Sequence, residues 1–159
     1  MAAGAAVLLG GLTAGILLIP ADDEGDGTGS GGSVSLSAEG VVACSTSIAE
    51  GRVAKVEQLA GGKRFRVLLT VERTYKPTDE ARQRLTFTTE EPDAEAYYRA
   101  GVRMLVLVPS HENEAPSTYR EGDPPPNASA ESKDRLQWGR AWVQKALPAA
   151  KGIECSGKG

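Results

Sequence analysis

The chain has 159 residues, with 18 Lys and Arg against 21 Asp and Glu, a single His and a formal charge of −3. That length supports one domain with a sizeable core and is short for two. Four of the acids, Asp22, Asp23, Glu24 and Asp26, fall in one run, so the rest is nearly neutral; with no clustered basic excess along the sequence, nucleic acid is not an expected partner.

Residues 1–21 carry no charge, and Ala2 to Ile19 consist of Ala, Val, Leu, Ile, Gly and one Thr. About 18 such residues at ~1.5 Å each give ~27 Å of helix, enough to cross a hydrocarbon core. A retained transmembrane anchor is the favoured reading. A cleaved signal and a buried core helix are the alternatives; neither a basic start nor a small-residue cleavage site stands out in Met1-Ala2-Ala3-Gly4 or Ile19-Pro20-Ala21-Asp22. Residues 22–43, the acidic run followed by Gly27-Thr28-Gly29-Ser30-Gly31-Gly32-Ser33, read as a flexible linker, and 44–159 as the domain it carries.

Cys44 and Cys155 are the only cysteines and bracket that domain. A disulfide between them would close a loop of about 100 residues and stabilise the fold by roughly 4–5 kcal/mol in the chain-entropy model. It would also place the domain outside the cytoplasm. Two unlinked buried thiols are the alternative, and a redox pair lacks the C-x-x-C spacing. Val41-Val42-Ala43-Cys44 has the residue types of a lipobox, but more than 20 residues separate it from the apolar segment.

Past Cys44 the apolar pattern has period two. Ser47 to Leu59 and Lys63 to Tyr75 read as strands joined at Gly61-Gly62, the second alternating Phe65, Val67, Leu69 and Val71 against polar residues. Arg84 to Thr89 is a third strand, with Leu85 and Phe87 on one face. Met104 to Val108 is wholly apolar and reads as buried on both sides. Pro92 to Ala100, between them, holds a helical turn or two. Ser110 to Asn127, rich in Pro, Glu, Ser and Asn, reads as a long loop. Within it Tyr119, Arg120, Glu121 and Asp123 combine an aromatic ring, a cation and acids; they form either a partner-contact surface or a loop pinned by Tyr119. Ser132 to Leu147 is a helix ended by Pro148, with Leu136, Val143, Ala146 and Leu147 on its apolar face. Trp138 and Trp142 form an adjoining stripe, read as core packing with a partner platform as the alternative.

The order Cys44, the strand Ile48-Ala49-Glu50-Gly51-Arg52-Val53, Phe65 to Val71 leading into Thr74-Tyr75-Lys76-Pro77, Leu85 to Thr89, and Tyr98-Arg99-Ala100-Gly101-Val102-Arg103-Met104-Leu105-Val106 resembles the netrin-like domain of tissue inhibitors of metalloproteinases and their bacterial relatives. The resemblance runs from Cys44 to Pro109. It implies a mainly β fold: a small five-stranded barrel of the oligonucleotide- and oligosaccharide-binding (OB) type with a C-terminal helix, here preceded by the transmembrane or signal helix. In the inhibitors the mature chain opens at the cysteine, which holds the target's zinc. Cys44 follows Ala43, so the resemblance implies the fold and not that mechanism.

Catalytic motifs are sparse. His111 has no second His at zinc-binding spacing, and Ser45 and Ser47 lack a nucleophile-elbow setting. Glu90, Glu91, Asp93 and Glu95 read as a solvated turn, with paired carboxylates of a hydrolase of envelope polymers as the alternative. No catalytic residue, metal or cofactor is expected. The expected function is non-catalytic binding of a protein or cell-envelope component by a domain held at the membrane through its N-terminal helix, facing away from the cytoplasm, or secreted if the leader is cleaved. An accessory subunit of an envelope complex is the nearest alternative.

Overall fold

A computed structural model describes residues 37–78, 82–127 and 131–155. The apolar segment 1–21 and residues 22–36 lie outside them, and so do the anchor and signal readings. Among the described residues no helix is long and apolar enough to cross a membrane.

Five strands form one antiparallel sheet: β1 (Ser45–Gln58), β2 (Phe65–Lys76), β3 (Arg84–Thr89), β4 (Arg103–Pro109) and β5 (Ser117–Arg120), in the order β3-β2-β1-β4-β5. The β1–β2 turn carries Gly61 and Gly62 at φ 94° and 73°, the positive angles for which glycine was expected there. Register shifts interrupt the β1–β2 ladder in three places, and such bulges bend a strand and increase its twist. At one of them the backbones approach so closely that a Cβ on Gly51 would lie 2.1 Å from the Thr70 carbonyl oxygen.

Alternation divides the apolar residues between two cores. One face gathers Val53, Phe65, Val67, Leu69, Leu85, Phe87, Met104 and Val106, closed by Ala94 and Tyr98 from the short helix α2 (Ala94–Tyr97) and the residue after it. The Tyr97 hydroxyl bonds to Thr118 Oγ1 of β5 at 3.1 Å, and beside it Tyr98 is 1% exposed. Burial, reinforced by the charge of Glu91, pushes the Tyr98 phenol up to about 12. The opposite face gathers Ile48, Tyr75, Leu105 and Leu107 under the helices α1 (Ala38–Ala43) and α3 (Arg135–Ala150), which add Val42, Leu136, Val143 and Ala146. β4 is therefore buried on both sides, as its continuous apolar run implied.

Three local features depart from the sequence expectations. β5 lies within the stretch read as a loop; its four residues pair with β4, Tyr119 opposite Leu105. α3 continues through Pro148 to Ala150, and starts at Arg135 rather than Ser132 because Asp134 caps it, accepting from Gln137 N at 2.9 Å. Proline is tolerated there because only one hydrogen bond is lost, in the last turn, while Ala146 and Ala150 still bury their methyls. The end of the stretch read as linker forms α1, capped by Ser37. Lys76 at the end of β2 donates to the Val42 and Ala43 carbonyls at 3.2 and 2.6 Å, placing a cation at the open C-terminus of α1. Cys44, just past α1, and Cys155, beyond α3, form a disulfide with a Cα–Cα separation of 5.3 Å.

Candidate functional site

With Leu136, Val143 and Ala146 seated on the sheet, the step of about 100° per residue sets Trp138 and Trp142 on one shoulder of α3 and Arg140 on the other. The two shoulders meet different chemistry.

On the first, both indoles meet Tyr119, which alternation turns to the helix side of β5. The Tyr119 ring lies 5.7 Å from Trp138 and 6.1 Å from Trp142, and the indoles stack 6.0 Å apart at 20°. Gly139 makes room for this: a Cβ there would come within 2.6 Å of Tyr119 Cγ. All three rings are half-buried, and burial pushes the Tyr119 phenol up from its ordinary value. Three residues singled out from the sequence thus share one rigid aromatic corner.

The rest of that set does not join them. Arg120 points to the other face of β5, where its Nε and Nη2 donate to Asp123 Oδ1 at 2.9 and 2.6 Å and its guanidinium lies 4.6 Å from the Tyr97 ring. That arrangement fixes the loop after β5 to the α2 segment. Glu121 is exposed, and its amide donates to the Arg103 carbonyl at 2.9 Å. Of the acids near Pro92, Glu90 lines a cleft of about 350 Å³ with Arg64 and Glu112, whereas Glu91 and Asp93 line a separate one with Tyr97 and Arg135.

The second shoulder holds a carboxylate the sequence did not single out. Glu50 of β1 is 1% exposed and accepts from Arg140 Nε at 2.7 Å and from Arg140 Nη2 on its other oxygen. Arg103 Nη2 stands 2.8 Å away and the Tyr75 hydroxyl 3.4 Å. Burial by itself would raise the pKa of Glu50. The Arg140 hydrogen bonds and the charges of Arg140, Arg103 and Arg73 outweigh it and hold the carboxyl below its ordinary value. With both oxygens held by Arg140 and one also by Arg103, Glu50 pins α3 to the sheet. The available signal was weak: an acid beside Ile48 and Ala49, and one arginine next to the apolar face of α3.

No family model matches the chain, and no curated protein matches it in sequence.

Proposed function

We propose that this chain is a non-catalytic binding module displayed outside the cytoplasm, held at the membrane by residues 1–21, whose aromatic corner contacts a protein of the cell envelope. The observation that carries this reading is the convergence of Tyr119, Trp138 and Trp142 into one half-exposed cluster on a rigid helix–strand junction. Tryptophan and tyrosine dominate the energetics of protein contacts because they present large apolar area with few rotatable bonds. The disulfide supports the compartment. The strand order β3-β2-β1-β4-β5 supports an OB-like barrel.

The test is in-cell photo-crosslinking of the full chain with a photoreactive residue at position 138, compared with position 144 on the solvent side of α3. The reading requires one envelope protein to be captured at 138 and not at 144, and its recovery to fall with Trp142→Ala. Equal capture at both positions refutes it, as does loss of folding in Trp142→Ala that accounts for the effect.

A further inference from the structure

The arginines that look dispersed in the sequence are brought together by strand register. Arg103 of β4 stands opposite Arg52 of β1, Arg52 opposite Thr70 of β2, and Thr70 opposite Arg84 of β3. Each is next in sequence to a core residue (Met104, Val53, Leu69, Leu85), so alternation turns all four to the same outer face. One rung of the sheet therefore carries three guanidinium groups across four strands. At ~4.8 Å per strand it spans about 14 Å. α3 rests mainly on β4 and β5, reaches Glu50 of β1, and with α1 covers Ile48 and Tyr75 at one end of this face; around and beyond the rung Arg52, Thr70, Arg84, Thr86 and Thr88 are exposed.

Like charges directly opposite one another destabilise a sheet, and the carboxylates present offset this one only in part. Glu72 stands 3.0 Å from Arg52 Nε and 2.9 Å from Arg103 Nε. The second contact is off-line for a hydrogen bond, which leaves the buried Arg103 Nε–H without an acceptor. Glu50 is occupied by Arg140 and Arg103. Among the described residues Arg84 and Arg73 have no ion-pair partner, Arg73 lying only over the Tyr75 ring at 6.0 Å. On a chain of net charge −3, this face concentrates unneutralised positive charge.

We infer that the outer face of β1, β2 and β3 binds a linear anionic glycan through its carboxylate or phosphate groups, with Arg52, Arg84 and Arg73 as the contacting cations. Guanidinium groups pair with both oxyanions in the same two-pronged geometry. The Thr70, Thr86 and Thr88 hydroxyls between and beside them suit the hydroxyls of a sugar backbone. No exposed aromatic ring stands among these residues to stack a nucleobase, and the face lacks the apolar anchors of a protein interface. The site is separate from the aromatic corner and does not depend on it.

The test is calorimetric titration of the full chain with polygalacturonate and with a deacylated glycerol-phosphate polymer, with neutral dextran as reference and phosphatidylglycerol vesicles as a further arm. Saturable binding to at least one free polymer and not to dextran, weakening as salt rises, is expected. Arg84→Gln, exposed and without an ion pair among the described residues, should lower the affinity several-fold without moving the urea midpoint, while Trp138→Ala leaves the affinity unchanged. The inference is overturned if dextran binds equally, if Arg84→Gln binds as the parent does, or if only the vesicles are bound, which would make a lipid surface the ligand.

Discussion

Replacing Glu50 with alanine tests whether the contact between α3 and the sheet depends on one carboxylate. The substitution leaves Arg140 and Arg103, both within reach of Glu50 Oε1, facing each other without their shared counter-charge. Breaking a buried pair by removing one partner costs about 3–5 kcal/mol. Here the two guanidiniums are 30% and 29% exposed, so water recovers part of the loss, and the expected cost is about 2–4 kcal/mol. For a folded unit of this size that corresponds to a fall of roughly 10–20 °C in Tm. Urea titration of the disulfide-intact chain, followed through Trp138 and Trp142 fluorescence, gives the midpoint, and an unchanged m-value confirms that the same surface is exposed on unfolding. In a cycle with Arg140→Ala the second substitution should add little, for a coupling of about 1.5 kcal/mol or more. A loss below about 1 kcal/mol for Glu50→Ala, or additive effects in the cycle, would refute the reasoning.

Acid should act on the same group. The folded pKa of Glu50 lies below its ordinary 4.5, so its stabilisation is complete above about pH 4.5 and is lost as pH falls through the lower folded value; Glu50→Gln should show a flatter stability profile below pH 4.5, and parallel profiles would count against the pairing. Gly139→Ala should destabilise by about 0.5–2 kcal/mol, because overpacking against Tyr119 outweighs a helix-propensity gain of about 1 kcal/mol. In a Tyr119→Ala background the same change should stabilise, and a gain in the parent chain would show that the corner yields. Removing the disulfide with Cys44→Ser and Cys155→Ser, at a sequence separation of 111, should cost up to about 5 kcal/mol in the chain-entropy model; an unchanged urea midpoint would mean that the bridge does not constrain the unfolded chain.

β2 and β3 were legible because they alternate and β4 because it runs apolar, while β1, a Gly-broken run with Ile48, Val53 and Val56, was marked by the Gly61-Gly62 turn that joins it to β2. β5 was not, since Ser117-Thr118-Tyr119-Arg120 is too short to show a period and sits in a Pro-rich stretch; its pairing with β4 is a tertiary decision. α1 was obscured because Gly40 and the lipobox-like residues mask a Ser37 cap, and its burial depends on α3, far along the chain. Tyr119, Trp138 and Trp142 could be singled out as aromatics near a loop and on a helix, but their convergence required knowing that Gly139 admits the Tyr119 ring. Glu50 and its partner Arg140 are 90 residues apart. In a strand a lone glutamate reads as one more solvent-facing position, and the arginine rung exists only once register is fixed. What a single sequence conceals here is pairing between distant elements.

The bridge between Cys44 and Cys155 also determines how the unit bears load. It joins the chain just after α1 to the chain just after α3, with 5.3 Å between the two Cα atoms. Tension applied upstream of Cys44 and downstream of Cys155 passes through one covalent link and bypasses the sheet. A pull between those two points therefore does no work on the hydrogen-bond ladders, and the only packing it loads is that of α1, through which the chain reaches Cys44. A partner that grips the folded body instead, at α3 or on the open strand face, loads the non-covalent packing, so the same molecule is stiff to one direction of pull and compliant to the other.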